Sequence, residues 1–200
     1  MYEKPLRLDS SEQKIWFVSD THFSHKAIIN FCKRPFNSIE EMNEVLISNW
    51  NSVINPQDLV FHLGDFAFAS NGEWKRILGQ LNGKIHLIVG NHDDSRYPGR
   101  QTFDLFESVS LQKHLIIDKR HVILNHYPFL CYAGTYRKPD NCAIQLHGHV
   151  HSGPNNTGLD ADRLKMCFPY QYDVGVDNNN YTPISWEEVL MKIKENGKHL

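Results

Sequence analysis

The 200-residue sequence lacks several features that would assign it to a specialised class of protein. It has no apolar run long enough to cross a membrane, and its N-terminus lacks the apolar core of a signal peptide. Its formal net charge is only -2, so no broad charge excess draws it to nucleic acid or to an anionic membrane. Its four cysteines show no Cys-x-x-Cys spacing, so neither a zinc ribbon nor a redox motif is indicated. We therefore expect a soluble, cytoplasmic protein with free thiols.

The sequence is instead rich in histidine, with 12 copies, most of which lie in or beside short polar clusters that follow apolar runs. An apolar run that stops at such a cluster is typical of a strand that delivers side chains to one edge of a sheet. Together the clusters supply carboxylates, an asparagine carbonyl and five imidazoles, which suit a pair of divalent metal ions. The pattern thus predicts a two-metal hydrolase. The clusters are Asp20-Thr21-His22, Gly64-Asp65, Gly90-Asn91-His92-Asp93, His126 before Tyr127-Pro128, and His147-Gly148-His149.

The first half of the chain alternates strand and helix patterns. Apolar runs rich in β-branched and aromatic residues predict strands, and helical spacing after capping residues predicts helices. We expect strands over 14–19, 58–63 and 85–89, and helices over about 26–33, 38–54 and 74–81. This order predicts parallel strands with helical crossovers, in which ligands bind beyond the carboxyl ends of the strands. Asp20, Asp65 and Asn91 all fall at that edge.

The second half of the chain has a different pattern. Two apolar runs flank Asp118-Lys119-Arg120 and predict an antiparallel hairpin over 114–117 and 121–124. Further strands are expected over 143–146 and 170–176, and a last helix begins at the capping residue Ser185. The stretches 127–141 and 152–169 are irregular and leave the edge with the polar clusters, where functional loops are expected. We see no repeat or linker, so residues 1–200 are expected to form a single domain.

Each cluster taken alone has a simpler explanation. Asp-x-His occurs often by chance, and Gly64-Asp65 is most simply a turn after a strand. Gly90-Asn91-His92-Asp93 could be a tight loop in which Gly and Asn adopt positive φ. His147 and His149 point the same way if the segment is extended, which suits a ligand pair but also two edge-strand histidines. The order and completeness of the set are what favour a metal site.

Cluster by cluster, these residues match the pattern D-x-H, G-D, G-N-H-[DE], H, G-H-x-H, and the chain resembles the calcineurin-like metallophosphoesterase superfamily. The resemblance covers nearly the whole chain from about Ile15 to the final helix. It implies an α/β fold in which a two-sheet β-sandwich is flanked by helices in four αββα layers. It further implies a dimetal-dependent phosphoesterase, in which a metal-bridging hydroxide attacks phosphorus. The chain is similar to the compact bacterial and phage members, which have no added cap domain.

The same resemblance implies two sets of metal ligands that share Asp65, with one oxygen of its carboxylate on each ion. One ion would be held by Asp20, His22, Asp65 and His149, and the other by Asp65, Asn91, His126 and His147. The oxygen and nitrogen ligands, without a thiolate, suit manganese, iron, zinc, nickel or cobalt. Sequence does not choose among these metals.

Two further residues are expected to be catalytic. His92 is not needed as a ligand, and the resemblance places it on the leaving-group side, where it would protonate the departing alkoxide. Asp93 would then form a hydrogen bond with His92 and set its orientation and charge. The alternative for Asp93 is a capping residue in the loop. Candidate substrate contacts are His25, Arg34, His151 and Arg137, each of which could also be an ordinary solvated side chain. His62 lies inside an apolar strand and is expected to be a core histidine.

We expect a small phosphorylated substrate, in the first place a nucleotide, with a phosphodiester or a phosphomonoester as the scissile group. One alternative is a nuclease or RNA-end-processing phosphodiesterase, which the near-neutral charge disfavours because such an enzyme needs a basic groove. A non-catalytic scaffold on the same fold would be expected to lose metal or leaving-group histidines. His22, His92, His126, His147 and His149 are all present, so the scaffold is disfavoured. Either a monomer or a homodimer is compatible with the sequence.

Overall fold

Two five-stranded β-sheets form the framework of the chain in a computed structural model, which describes residues 4–93, 100–135, 142–154 and 167–197. The strands in this part of the chain are β1 (Leu6–Leu8), β2 (Ile15–Val18), β3 (Leu59–His62), β4 (Lys84–Ile88), β5 (Ser108–Ser110), β6 (Gln112–Ile117), β7 (Arg120–Asn125), β8 (Ile144–His147), β9 (Gln171–Asp173) and β10 (Ile184–Ser185). The helices are α1 (Lys26–Phe31), α2 (Ile39–Val53), α3 (Asn71–Leu78), a 3₁₀ helix (Arg100–Leu105) and α4 (Trp186–Gly197).

The first sheet has the strand order β10-β2-β3-β4-β5, and the second has the order β1-β6-β7-β8-β9. In the first sheet β2, β3, β4 and β5 run parallel, and β10 pairs antiparallel with β2. In the second sheet the β6–β7 hairpin is antiparallel and the other pairs are parallel. The expected α/β fold with two sheets flanked by helices is confirmed. Because β2, β3 and β4 are parallel, the residues that follow them meet at one edge.

One apolar core fills the space between the two sheets, and a second lies between the first sheet and its helices. Between the sheets, Phe17 and Phe61 of the first pack with Leu115 and Leu146 of the second, and Trp186 of α4 joins them. On the other side of the first sheet, α2 and α3 bury Trp50 and Trp74 against β-strand residues such as Val60. The first sheet is therefore buried on both faces, which fits the continuous apolar runs of β2 and β3.

The sequence patterns located most elements but missed the shortest ones. Ser38 accepts a hydrogen bond from the backbone N–H of Glu41, as the capping box predicts. Helix α3 begins three residues before the expected start, because Ser70 accepts from the N–H of Glu73 and caps it there. Strands β1, β5 and β10 were not anticipated, since runs of two or three residues carry no periodicity. No helix in the described ranges is long and apolar enough to cross a membrane.

Candidate metal centre

The predicted ligands lie in loops that leave the strands in an unusual backbone conformation. Asp20, His22 and Asp65 have φ angles of 55°, 50° and 56°, and His149 and His151 have 71° and 45°. Residues with a Cβ atom seldom adopt this left-handed conformation, which costs on the order of 1 kcal/mol each and clusters at functional sites. The first two loops also brace each other, because the N–H of His22 donates to the carbonyl of Asp65 over 3.0 Å. The backbone thus holds the ligand side chains in place.

A first group of possible metal ligands consists of Asp20, His22 and His151, whose ligand atoms lie within 4.8 Å of one another. The Nε2 atom of His151 is 3.7 Å from Asp20 Oδ1, and that of His22 is 4.0 Å from the same oxygen. Asp20 Oδ1 and His22 Nε2 are buried and have no hydrogen-bond partner in the described structure. Leaving two buried polar atoms unsatisfied is costly, so the residues fit a cation between them.

The charges in this first group also favour a cation. Burial lowers the pKa of His22 well below its usual value, which keeps the imidazole in the neutral form that binds metals. Burial acts to lower the pKa of His151 too, but the carboxylates of Asp20 and Asp177 outweigh it and raise that pKa to about 11. The site beside Asp20 therefore stabilises positive charge, which a divalent ion would supply.

A second group consists of Asp65, His126 and His149, again with ligand atoms within 4.8 Å of one another. The carbonyl oxygen of the Asn91 side chain lies 3.1 Å from His126 Nε2 and completes the set. The Nδ1–H of His126 donates to the backbone carbonyl of Leu63 over 2.7 Å. That hydrogen bond fixes the tautomer and leaves Nε2 with the lone pair that a metal would accept.

Asp65 belongs to the second group and also faces the first. Its Oδ2 atom is 3.5 Å from His22 Nε2 and 3.6 Å from His126 Nε2. Its Oδ1 atom accepts the backbone N–H of His92 over 2.8 Å. A single carboxylate oxygen thus faces both groups, whereas the resemblance implies one oxygen on each ion. Burial raises the pKa of Asp65 to about 7, which His126 opposes and the carboxylates of Asp20 and Asp93 reinforce.

The structure changes the expected assignment of the histidines near β8. Strand β8 ends at His147, and the chain then bends. His149, with a φ of 71°, therefore does not continue the alternation of side-chain directions along the strand. His147 is buried opposite Asp173 of β9 and belongs to neither group. His149 lies in the group expected to contain His147, and His151 lies in the group expected to contain His149. His151, predicted as a substrate contact, thus lies among the possible ligands of the first group.

Asp93 does not orient His92 as expected. Its Oδ2 atom accepts the backbone N–H groups of Asp65 and Gly90, over 2.7 and 2.9 Å, and Oδ1 accepts that of Phe66 over 2.9 Å. Both oxygens are thus occupied in tying the loop after β3 to the loop after β4. The alternative of a structural cap in the loop is the one that the geometry favours.

His92 stands at the rim of the two groups. Its side chain is 27% exposed, and its Nε2 atom is 4.0 Å from Asp65 Oδ2. The ring contacts those of His22 and Phe68, with centroids 5.3 and 5.9 Å away. Burial is the main cause that lowers the pKa of His92. The side chain is therefore near both groups and still open to a bound ester.

One of the candidate substrate contacts, Arg34, lies elsewhere than expected. Arg34 is fully buried and donates to protein oxygens, so a surface contact with phosphate or base is not supported. His25 Nδ1 is 3.1 Å from His22 Nδ1, and the His25 ring stacks on Phe68 at 4.7 Å. This contact engages Nδ1 of His22, so that Nε2 faces the carboxylates of Asp20 and Asp65. Arg137 lies outside the described residues.

Two residues near the groups were missed by the sequence analysis. The Tyr127 ring lies 4.6 Å from that of His149 and 5.0 Å from that of His126, and its hydroxyl is 3.5 Å from Asn91 Oδ1. Its position directly after His126 was the only signal available. Asp177 accepts a hydrogen bond from Nδ1 of His151 over 2.8 Å. It belongs to no motif, so the pattern could not have found it.

Gly148 offers a sharp test of how tightly the first group is packed. A Cβ atom at this position would lie 2.0 Å from Ser19 Oγ and 2.2 Å from Asp20 Oδ2. We expect Gly148→Ala to displace Asp20 and to lower metal-dependent hydrolysis on the order of 10²-fold, as misplacement by about 1 Å does. Gly72→Ala is the control, because only Ser70 Oγ lies near, at 4.0 Å. Steady-state rates should separate the two variants, and equal activity would refute the packing argument.

His62 is the buried histidine that the sequence assigned to the core. Its Nδ1 accepts the N–H of Gly64, its Nε2 is 2.9 Å from Thr21 Oγ1, and Thr21 donates to the carbonyl of Phe66. Burial lowers the pKa of His62 to about 3. Below pH 6.5 the His62 imidazole is therefore protonated in the unfolded chain but stays neutral in the folded chain. The free energy of unfolding consequently decreases as the pH is lowered.

We expect this loss to continue until the pH reaches about 3, with a slope from His62 of at most about 1.4 kcal/mol per pH unit. The measurement is the free energy of unfolding between pH 7 and 4 for the wild type and for His62→Gln, whose amide can still donate and accept. The difference between the two should shrink as the pH falls. Parallel curves would show that His62 is protonated in the fold.

Comparison with known proteins agrees with this combination of fold and edge site, which is that of a metal-binding phosphoesterase. The family model of the calcineurin-like phosphoesterases matches residues 13–153. The chain belongs to that family, and it is a hydrolase that acts on phosphate esters. The matched segment contains every residue of the two groups.

Two of the similar proteins match this chain over nearly its whole length. The chain is 35% identical over 190 residues to the uncharacterized protein MJ1445 of Methanocaldococcus jannaschii, covering 94% of this chain and 95% of the relative. It is 29% identical over 163 residues to the Gene 66 protein of Mycobacterium phage L5, covering 68% and 77%. The crystal structure of AQ665 from Aquifex aeolicus, a protein of unknown function, superposes with a TM-score of 0.68 at 30% identity, covering 90% and 98%.

Proposed function

We propose that this chain is a dimetal phosphoesterase whose ligand sets meet at Asp65. The first set is Asp20, His22, Asp65 and His151, and the second is Asp65, Asn91, His126 and His149. The observation that supports this most strongly is Asp65 Oδ2, which lies 3.5 and 3.6 Å from one histidine nitrogen of each group. Bound divalent ions would supply Lewis-acid stabilisation of the phosphoryl oxygens and a strong nucleophile at neutral pH.

The residues of the chain have separate tasks in this proposal. The carboxylates of Asp20 and Asp65 balance the charge of the ions, and the neutral Asn91 limits the accumulated negative charge. His92 reaches the open side of the site and donates a proton to the oxygen of the departing group. Asp93 keeps the loops of Asp65 and His92 together through its three backbone hydrogen bonds. The scissile phosphate thus lies between the ions and His92.

The substrate proposed is a small phosphate ester, in the first place a nucleotide. Two partly exposed aromatic rings flank the groups, with Tyr127 43% and Phe68 39% exposed, and such rings suit stacking on a base. The groove of about 800 Å³ beside Phe68 is lined by Glu40, Glu44 and Glu73. Its arginine, Arg76, is paired with Glu73. An acidic groove repels a long phosphate backbone, which disfavours nucleic acid as the substrate.

The proposal is tested by hydrolysis of bis-p-nitrophenyl phosphate and p-nitrophenyl phosphate after chelator treatment and return of Mn²⁺. We expect cleavage that requires the metal, with the diester preferred. Cleavage that survives the chelator, with no metal in the protein, would contradict the dimetal mechanism. A preference for the monoester would keep the mechanism and turn the substrate search to phosphomonoesters.

A further inference from the structure

A buried ion pair lies directly beneath the first ligand group. The guanidinium of Arg34 donates from Nε to Asp177 Oδ1 and from Nη2 to Asp177 Oδ2, each over 2.9 Å. The Arg34 side chain is 0% exposed and that of Asp177 is 8% exposed. A two-pronged pair of this kind fixes both planes relative to each other, which a lysine in the same place could not do.

The same guanidinium also holds the loop that carries Asp20 and His22. Nη2 donates to the backbone carbonyl of Asp20 over 2.7 Å, and Nη1 donates to that of Thr21 over 3.0 Å. These two carbonyls belong to a turn in which Asp20 has a φ of 55°. The hydrogen bonds therefore stabilise a backbone conformation that is unfavourable by itself.

Asp177 connects the ion pair to the third member of the group. Its Oδ2 atom is 2.8 Å from Nδ1 of His151, so that nitrogen carries the proton and donates. The opposite nitrogen, Nε2, then points at Asp20 Oδ1 from 3.7 Å. A carboxylate that accepts from one nitrogen of a ligand histidine sets both its tautomer and its ring orientation. Arg34 and Asp177 together thus contact all three members of the first group, either directly or through the adjoining backbone.

We propose that Arg34 and Asp177 are positioning residues that hold Asp20, His22 and His151 in the geometry needed to bind one of the two ions. This inference rests on the proposed function and adds two residues that lie outside both proposed ligand sets. It is specific to one ion, because in the second group His126 is oriented by the carbonyl of Leu63. Loss of the pair should weaken one metal site and spare the other.

The test is a titration of the metal-stripped protein with Mn²⁺, in which binding is measured by calorimetry. The metal content is also determined after incubation with less Mn²⁺ than the two sites can bind. In Asp177→Asn the amide places an NH₂ group where an oxygen accepts from Arg34 or His151. We expect one of the two ions to bind about 10–100-fold more weakly and the other to bind as in the wild type. Excess Mn²⁺ should restore most of the activity. Arg34→Lys should weaken the binding of the same ion by a smaller factor, because lysine retains the positive charge but cannot make both hydrogen bonds to Asp177.

Asp58→Asn is the matched control. Asp58 is buried and accepts from Trp16 Nε1 and from the backbone N–H of Asn55, but it precedes β3, at the opposite end of that strand from Asp65. It should lower stability without changing either metal affinity. A second readout is the His151 Nδ1–H proton in NMR spectra of the metal-stripped protein, which should be shifted downfield in the wild type and not in Asp177→Asn.

The outcomes separate this inference from the proposed function. A wild type that binds two ions, with an Asp177→Asn variant that binds both equally well, would overturn the positioning role alone. Equal weakening of both ions in Asp177→Asn would also overturn it, because the effect would then be general destabilisation. A wild type that binds no pair of ions would overturn the proposed function itself.

Discussion

Asp65→Asn should abolish metal-dependent hydrolysis, with a loss on the order of 10³-fold or more. The reason is that Asp65 Oδ2 faces both ligand groups, so its replacement by a neutral amide removes negative charge from both ions at once. Two ions contribute several kcal/mol to stabilising the transition state of phosphoryl transfer, which corresponds to a loss of that size. The measurement is kcat/KM for bis-p-nitrophenyl phosphate, together with the metal content after dialysis.

The same substitution should leave the fold intact. Burial raises the pKa of Asp65 to about 7, so in the metal-stripped protein its carboxylate destabilises the folded state increasingly as the pH rises from about 4 to 7. An amide is free of this cost. The metal-stripped variant should therefore be at least as stable as the metal-stripped wild type at pH 7. If it were unfolded instead, its lost activity would say nothing about the metals.

His92→Ala should lower kcat by a factor of about 10²–10⁴ while both ions stay bound. His92 is open to bound ester at the rim, and it belongs to neither ligand group. The loss should be smaller for an ester whose leaving group is a good one, such as p-nitrophenolate, because that oxygen departs without a proton. The rates of alkyl and p-nitrophenyl esters should be compared for the variant and the wild type.

His86→Ala is a suitable control for this experiment, since His86 is half-buried in β4 and lies 2.8 Å from the hydroxyl of Ser108. It should leave the leaving-group dependence unchanged. A His92 variant that cleaves the poor leaving group at the full rate would show that another group supplies the proton.

The sequence predicted the edge of the first sheet well because connectivity constrains it. Parallel strands separated by helices place their carboxyl ends together, so the positions of Asp20, Asp65 and Asn91 after three such strands indicate that they lie near each other. Their order along the chain was sufficient information. The hairpin of β6 and β7 was also predicted, since two short apolar runs on either side of a polar turn carry their own signal.

The expected assignment of the last histidines places the motif in the wrong register, because G-H-x-H is formed by Gly148-His149-Val150-His151 and not by His147-Gly148-His149. The alternation of side chains holds only while the backbone is extended, and here β8 ends at His147. Beyond that residue the direction of each ring depends on φ angles such as those of His149 and His151, which tertiary contacts impose. In its proper register, the motif gives His149 and His151, the two histidines that lie in the groups of possible ligands.

The buried role of Arg34 was invisible for a related reason. An arginine in a polar segment is usually solvated, and the sequence offered no partner for it within the loop. Its partner, Asp177, lies 143 residues later along the chain. A pairing across such a distance follows from the way the two sheets meet, which pattern and propensity do not encode.

The most direct measurement is an anomalous diffraction map of crystals grown with Mn²⁺. We expect two peaks, one on either side of Asp65 Oδ2. One peak should be bounded by Asp20, His22 and His151, and the other by Asn91, His126 and His149. A single peak, or a peak coordinated by His147, would contradict the dimetal centre described for this chain.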